Sequence, residues 1–306
     1  MSIITKKELP DQLWLNGNIH MPICLINSYE LLLKRYDVME KALDQNNTGN
    51  IIGGITFEDT IEHFARRYGV SSCRIEGLLI DPDNGFLSLS EDLIKILSEG
   101  KIFLLDIACG TGSVGASLLS TLYILRKERI MPCLPLSIQI VGGDCSQPAL
   151  KIYEQMMEEL VNILKETGIE TSLKTVEWHA EDSYKTSELF DFIFDKYKDL
   201  DEYIIFVANF SGSMDNHFDE YKDSFQHLFD RLHNKSCTIL WVEPGDSSSG
   251  KSLFSKLSKR INTKAWGNSN QVGPINYEYK WFHPFQKRQL PCRILLKTYD
   301  NNRSKK

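Results

Sequence analysis

The segment FLLDIACGTGSVG at residues 103–115 is where this sequence comes nearest to chemistry. It reads as a buried strand, a glycine-rich turn and the start of a helix. Gly110 and Gly112 let the backbone turn sharply and approach a ligand more closely than a side chain permits. The helix that follows presents free N–H groups beside the same place. The pattern Gly110-x-Gly112-x-x-Gly115 also satisfies a dinucleotide fingerprint, but two acids point elsewhere. Asp106 ends the strand just before the turn, where a carboxylate repels a pyrophosphate and attracts a cationic sulfonium ligand bearing an ammonium group. A nicotinamide site expects its ribose-binding acid about 20 residues after the glycines. Here the acid after the second strand is Asp144, well beyond that, past a helix and a proline-containing link. One carboxylate can accept from both hydroxyls of a ribose, and Asp144 in VGGDCSQPAL is placed for it; capping the helix near Pro148 is the competing use.

Elements must hold these groups in place. From residue 101, short apolar runs at 102–106, 137–143, 173–178, 203–208 and 237–243 alternate with helical stretches at 113–128, 147–167, 184–196 and 216–233. That texture predicts a parallel sheet covered on both faces. Two further strands, about 275–282 and 291–299, follow without a helix between them and predict an antiparallel hairpin. Ile275, Tyr277, Tyr279 and Trp281 alternate onto one face, which core packing explains. The first hundred residues read as helices instead: 28–43, then 56–69 with Thr56 as N-cap and Gly69 as stop, then a third capped by Ser90. The expected organisation is a helical cap over 1–100, a ligand-binding domain over 101–300, and a disordered tail at 301–306.

DIACGTG at 106–112 resembles motif I of class I (Rossmann-like) S-adenosylmethionine (SAM)-dependent methyltransferases, and the resemblance extends over residues 101–300. Ala108 stands where that family usually has its first glycine. The resemblance implies an α/β fold with a seven-stranded, mostly parallel sheet ending in an antiparallel hairpin. It implies SAM as cofactor, with Asp106 near the amino end of the methionine moiety and Gly110 and Gly112 packed against the ligand. Asp144 would take the ribose, with Cys145 beside it. HAEDS at 179–183 falls where the family holds the adenine amine, so Asp182, with Glu181 as neighbour, is assigned there; helix capping is the plainer reading of Asp182.

In an open parallel sheet, ligands sit off the carboxyl ends of the strands. FVANFSGSMDNH at 206–217 should therefore face the reacting methyl group, with Asn209 and Phe210 at the cofactor and Ser211 at the substrate. Amide and exocyclic-amine methylators carry two prolines here. This chain has none in that loop, so DNA or glutamine methylation is not carried over. Methyl transfer from a sulfonium needs alignment and desolvation more than a base. His217, with Asn209, is the catalytic candidate if a base is used; His179 and His283 are weaker. Cys145 has no adjoining basic residue to activate it as a nucleophile. Trp266, in a loop of the aromatic-rich segment 265–285, is the other candidate substrate contact.

GDSSSGKS at 245–252 satisfies the Walker A pattern. Too little chain follows it for a P-loop domain, so it reads as the loop after the fifth strand. WVEPG before it loosely resembles a mitochondrial-type ribosomal small-subunit methyltransferase-like family. The net charge of −6 disfavours nucleic acid as a partner. The seven scattered cysteines form no C-x-x-C pair and suggest free thiols and no metal. The N-terminus lacks a signal-peptide core and no run is apolar enough to span a bilayer, so a cytoplasmic protein without membrane contact is expected. The function expected is methyl transfer to an oxygen or nitrogen of a small molecule or peptide under a helical lid. An RNA methyltransferase and an inactive methyltransferase-like binding protein are the alternatives.

Overall fold

The computed structural model describes residues 4–45, 53–54, 56–86, 88–214, 216–245, 248–260 and 274–301. A short hairpin (β1, Trp14–Leu15; β2, Asn18–Ile19) leads into helices α1 (Ile23–Arg35), α2 (Met39–Leu43), α3 (Phe57–Ile80) and α4 (Leu89–Ile96). Alternation then begins: β3 (Gly100–Ile107), α5 (Ser113–Lys127), β4 (Leu136–Asp144), α6 (Gln147–Lys165), β5 (Ile169–Glu177) and α7 (Ser183–Lys196). It continues with β6 (Glu202–Ala208), α8 (Ser211–Met214), α9 (Phe218–Leu232), β7 (Cys237–Pro244) and α10 (Ser248–Arg260), and closes with β8 (Ile275–His283) and β9 (Arg288–Asp300).

The described strands form one sheet in the order β1-β2-β8-β9-β7-β6-β3-β4-β5. Strands β3 to β7 run parallel, and β9 lies antiparallel between β7 and β8. The sheet thus has nine strands where seven were expected. The additional two, β1 and β2, are each two residues long and carry no periodic signal. They join the outer edge through the pairing of Ile19 with Trp281. The central strands are apolar throughout because both of their faces are covered. On β3, Ile102 and Leu104 face the layer of α1, α3, α5 and α6. Phe103, Leu105 and Ile107 face the layer of α7, α9 and α10.

The N-terminal helices depart from the expected boundaries for physical reasons. The span 28–43 is not one helix: α1 and α2 are separated around Asp37, whose φ of 55° is left-handed. Thr56 does cap α3, its Oγ1 accepting from Asp59 N at 3.2 Å. The helix does not stop at Gly69, however, but runs 24 residues to Ile80. Gly69 and Gly77 are there for close approach. A Cβ on Gly69 would stand 3.0 Å from the Trp281 ring. One on Gly77 would stand 2.9 Å from Ile19 Cδ1 and 3.1 Å from Tyr279 Cδ2. The stop is Asp81, whose carboxylate accepts from Gly85 N at 2.7 Å, Phe86 N at 3.0 Å and the Tyr279 hydroxyl. Ser90 lies within α4 and donates back to Leu78 O at 2.7 Å; it does not cap.

Side chains of α1 and α3 share a single core with those of α5, α6 and the sheet, so these two helices belong to one of its covering layers. Asn301, grouped with the tail by composition, is buried. Its side chain donates to Leu232 O, His233 O and Lys235 O. Residues 302–306 lie outside the described residues. Among the described residues, no helix is long and apolar enough to cross a membrane, and the seven cysteines are free thiols.

Gly77→Ala tests the packing role of α3's glycines. Alanine would raise helix propensity by about 1 kcal/mol, yet the added methyl meets a ring and two aliphatic side chains, an overpacking cost of about 1–3 kcal/mol. Urea unfolding should show a net loss of stability; a gain would contradict the packing account.

Candidate functional site

Because β3 to β7 are parallel, their carboxyl ends lie along one side of the sheet. The chain steps from β3 to β4 and β5 in one direction and to β6 and β7 in the other. Open α/β sheets bind ligands at such a reversal, outside the strand ends. Asp106 lies near the carboxyl end of β3, at that reversal. Strand alternation sends its side chain toward α5 and α6, and the residue is 0% exposed. Among the described residues neither carboxyl oxygen has a hydrogen bond of full geometry, although the Tyr153 hydroxyl and the Gly115 N–H approach it. Burial pushes the Asp106 carboxyl up to about 8. The approach of Tyr153 and the Gly115 N–H work against that rise, and the Asp144 charge adds to it.

The glycines around Asp106 divide into two kinds. A Cβ on Gly112, Gly115 or Gly142 would collide with the side chain of Tyr153, which α6 inserts among them. Those three make room for a tyrosine. Gly110 differs: its φ is +51° and nothing lies within 4 Å of where its Cβ would be. It supplies the open backbone surface that a ligand can approach. Ala108 adopts φ 55°, a left-handed conformation that costs a non-glycine residue about 1–2 kcal/mol.

Asp144, at the end of β4, braces this turn. Its Oδ2 accepts from Gly110 N at 2.8 Å and its Oδ1 from Ser146 N at 2.9 Å. Burial raises the Asp144 carboxyl, and those N–H groups lower it again. Each oxygen keeps a lone pair for a further donor. Ser146, not Asp144, caps α6, accepting from Ala149 N at 3.3 Å. The Cys145 thiol is pushed up to about 11, by burial and then by Asp144, which removes it as a nucleophile.

Past β5, Asp182 caps α7: Oδ1 accepts from Lys185 N at 2.9 Å and Oδ2 pairs with Lys185 Nζ at 3.2 Å. Glu181 meets His179 Nδ1 at 3.3 Å, and Glu177 meets His179 Nε2 at 3.0 Å, in an exposed trio. Both acids assigned to an adenine amine are therefore already engaged by the protein.

The loop after β6 is held by two residues that sequence reasoning missed. Asn209 is left-handed, φ 57°, and donates its N–H to Val242 O at 2.9 Å. The next two N–H groups, of Phe210 and Ser211, donate to Glu243 Oε1 at 3.0 and 3.1 Å. Trp241 Nε1 donates to the same oxygen at 3.0 Å. Glu243 is fully buried, and burial raises its carboxyl against the pull of these donors. The signal for it was legible, since an acid closes the apolar run CTILWV as Asp106 closes FLL. Arg74 on α3 donates from Nη1 to Asn209 Oδ1 at 2.6 Å. It has no local signal, because its partner lies 135 residues away.

His217 sits at the N-terminus of α9, exposed, with Nδ1 at 3.2 Å from Glu220 Oε1. Tyr221 stacks on the rings of both His217 and Phe210 and joins the histidine to the loop. His283 ends β8, its Nδ1 accepting from Phe285 N and Gln286 N of the turn that follows, and burial pushes it down to about 4. Trp266 lies outside the described residues, as do Asp246 and Ser247 of the Walker-like segment. Gly245 of that segment packs against Asn276 and Arg293 of the closing hairpin. Among the described residues, no cluster of His, Cys, Asp and Glu could hold a metal ion.

No protein-family model and no curated protein matches the sequence. Among solved structures, the chain is similar to one described for the conversion of a disulfide bond into a thioacetal group during echinomycin biosynthesis. That match has 13% identity, covers 70% of this chain and 83% of the other, and has a TM-score of 0.33. The match to a fibrillarin/Nop5p complex has 10% identity, covers 70% and 82%, and has a TM-score of 0.32. A third, to a candidate SAM-dependent methyltransferase of Methanococcus maripaludis, has 11% identity, covers 85% and 97%, and has a TM-score of 0.34.

Two outcomes follow from the site's acids. The folded protein holds the Asp106 proton more tightly than the unfolded chain does. Its contribution to stability is therefore present at low pH and lost as pH rises from 3.8 toward about 8. Denaturant unfolding at about pH 5 and about pH 8 should show a smaller fall in stability for Asp106→Asn than for the wild type. An unchanged difference would contradict this. Glu243→Ala leaves the N–H groups of Phe210 and Ser211 and the Trp241 indole N–H without their acceptor and should cost about 2–4 kcal/mol. Glu243→Gln retains an oxygen there and should recover most of that loss in the same melts.

Proposed function

We propose that this chain is a SAM-dependent methyltransferase acting on an oxygen or nitrogen of a small molecule or peptide. The observation that carries the reading is Asp106: a fully buried carboxyl without a completed hydrogen bond, at the reversal point of the sheet, beside the open side of Gly110. An unanswered buried carboxylate is costly, and a ligand ammonium is the partner that would relieve it. The residues present fit SAM. Asp106 answers its ammonium group, Gly110 offers backbone at close approach, and Asp144 has lone pairs left for ribose hydroxyls. Asp182 and Glu181 flank the adenine end, and Asn209 and Phe210 line the reacting end.

When bound, SAM supplies a methyl group on a sulfonium, a good leaving group. What the chain supplies is alignment and exclusion of water. Glu243 fixes the backbone of Phe210 and Ser211, so the loop facing the acceptor has one conformation. Asn209 is held from both sides, by Val242 through its backbone and by Arg74 through its side chain. His217 reaches this loop through Tyr221 and serves, in this reading, as a proton acceptor at its outer edge.

Calorimetry with SAM tests the proposal. At neutral pH the Asp106 carboxyl, at about 8, is mostly protonated, and a cation bound beside it expels that proton. Binding should therefore release close to one proton, and affinity should rise as pH approaches 8, by up to about tenfold per unit. Titrations in buffers of different ionisation enthalpy read the release directly. Asp106→Asn should abolish it, and Asp144→Ala should weaken binding by at least about tenfold. Absence of binding at millimolar SAM would sink the proposal.

A further inference from the structure

The edge of α3 that borders the site carries arginines to which the reading above gives no ligand. Thr60, Arg67 and Arg74 are spaced by seven residues, so they recur on one stripe of the helix. Both ends of the stripe are located. Thr60 Oγ1 lies 3.1 Å from Ser146 Oγ, beside the end of β4. Arg74 Nη1 lies 2.6 Å from Asn209 Oδ1, beside the end of β6. Strand β3 lies between β4 and β6, so the stripe passes the carboxyl end of β3, with Arg67 midway along it.

Three cations gather on this part of α3. Burial lowers the Arg67 guanidinium, and the nearby charges of Arg74 and Arg66 lower it further. Arg66 is answered by Asp44 at 2.9 Å and Glu62 at 3.2 Å. Arg74 is different. It donates to two neutral oxygens, Asn209 Oδ1 and, at 3.2 Å, the Arg293 carbonyl. Among the described residues no carboxylate stands within ion-pair distance of it. A guanidinium has five N–H donors, so this one has donors to spare beside the loop that would face an acceptor. Carboxylate and phosphate oxygens match that fork two at a time.

We propose that Arg74 recognises a carboxylate or phosphate group on the acceptor, so that the substrate is a small anion. The proposal rests on the methyltransferase reading and deepens it. A nucleic acid fits less well. Polyanions are held by several phosphate contacts at once, whereas Arg66 is already neutralised and the whole chain is acidic.

The test uses the full chain with inorganic phosphate and acetate as probes, titrated calorimetrically with and without SAM. Wild type should bind at least one of them. Arg74→Ala should bind it at least about tenfold more weakly, and because it also releases the Asn209 side chain, SAM affinity is compared in Arg74→Gln, where it should stay within about twofold of wild type. Arg74→Gln, which can keep a hydrogen bond to Asn209, should lose the anion equally and guards against a folding defect. The proposal is overturned if neither anion binds wild type, or if both variants bind the anion as wild type does. It is also overturned if Arg74→Gln loses SAM along with the anion, because the guanidinium would then serve the cofactor. If SAM binds no form of the protein and the anion still depends on Arg74, the methyltransferase reading falls and an anion site remains.

Discussion

A carboxyl group sealed in the core with no completed hydrogen bond is the constraint around which this site is built. Three acids close strands on the same side of the sheet, and they are used differently. Asp144 and Glu243 are spent on backbone N–H groups of neighbouring loops, Gly110 and Ser146 for one, Phe210 and Ser211 for the other. Asp106, between them in the strand order, is left unspent. Acids braced by backbone donors make rigid loops. Asp106, approached only by the Tyr153 hydroxyl and the Gly115 N–H, keeps an electrostatic cost that a cation or a proton removes.

Rigidity around Asp106 has a second source in Tyr153. Its ring occupies the volume left by Gly112, Gly115 and Gly142, locking α6 against the start of α5 and against β4. The glycine motif therefore does two jobs at once. Most of its glycines admit a tyrosine from the next helix, and only Gly110 faces open space. Motif spacing alone does not separate these roles, because both require the absence of a Cβ.

Helix α3 carries a comparable cost. Glu76 on it, and Ser117 and Thr121 on α5, are buried with side-chain oxygens that have no hydrogen-bond partner among the described residues. Burial raises the Glu76 carboxyl well above the ordinary range. The helix is nonetheless drawn close to β8 and β9 by Gly69 and Gly77. That path takes it past the strand ends, from Ser146 to Asn209, and makes it a wall of the site.

The sequence by itself determined the elements whose physics is local. The alternation of apolar strands with helices, the antiparallel closing hairpin and the loop holding Asp106 and Gly110 were legible because burial on both faces, terminal pairing and backbone freedom each leave a short-range pattern. Asp144 was legible for the same reason, as an acid closing a strand. Where the determining contact was distant, the sequence misled. Gly69 read as a stop because its partner Trp281 lies on the far hairpin, and β1 and β2 left no pattern because two residues cannot show a period. Only the tertiary structure decided that Glu243 holds the loop after β6 and that Arg74 reaches Asn209. Those are contacts between side chains and backbone brought together by packing, and no spacing along the chain encodes them.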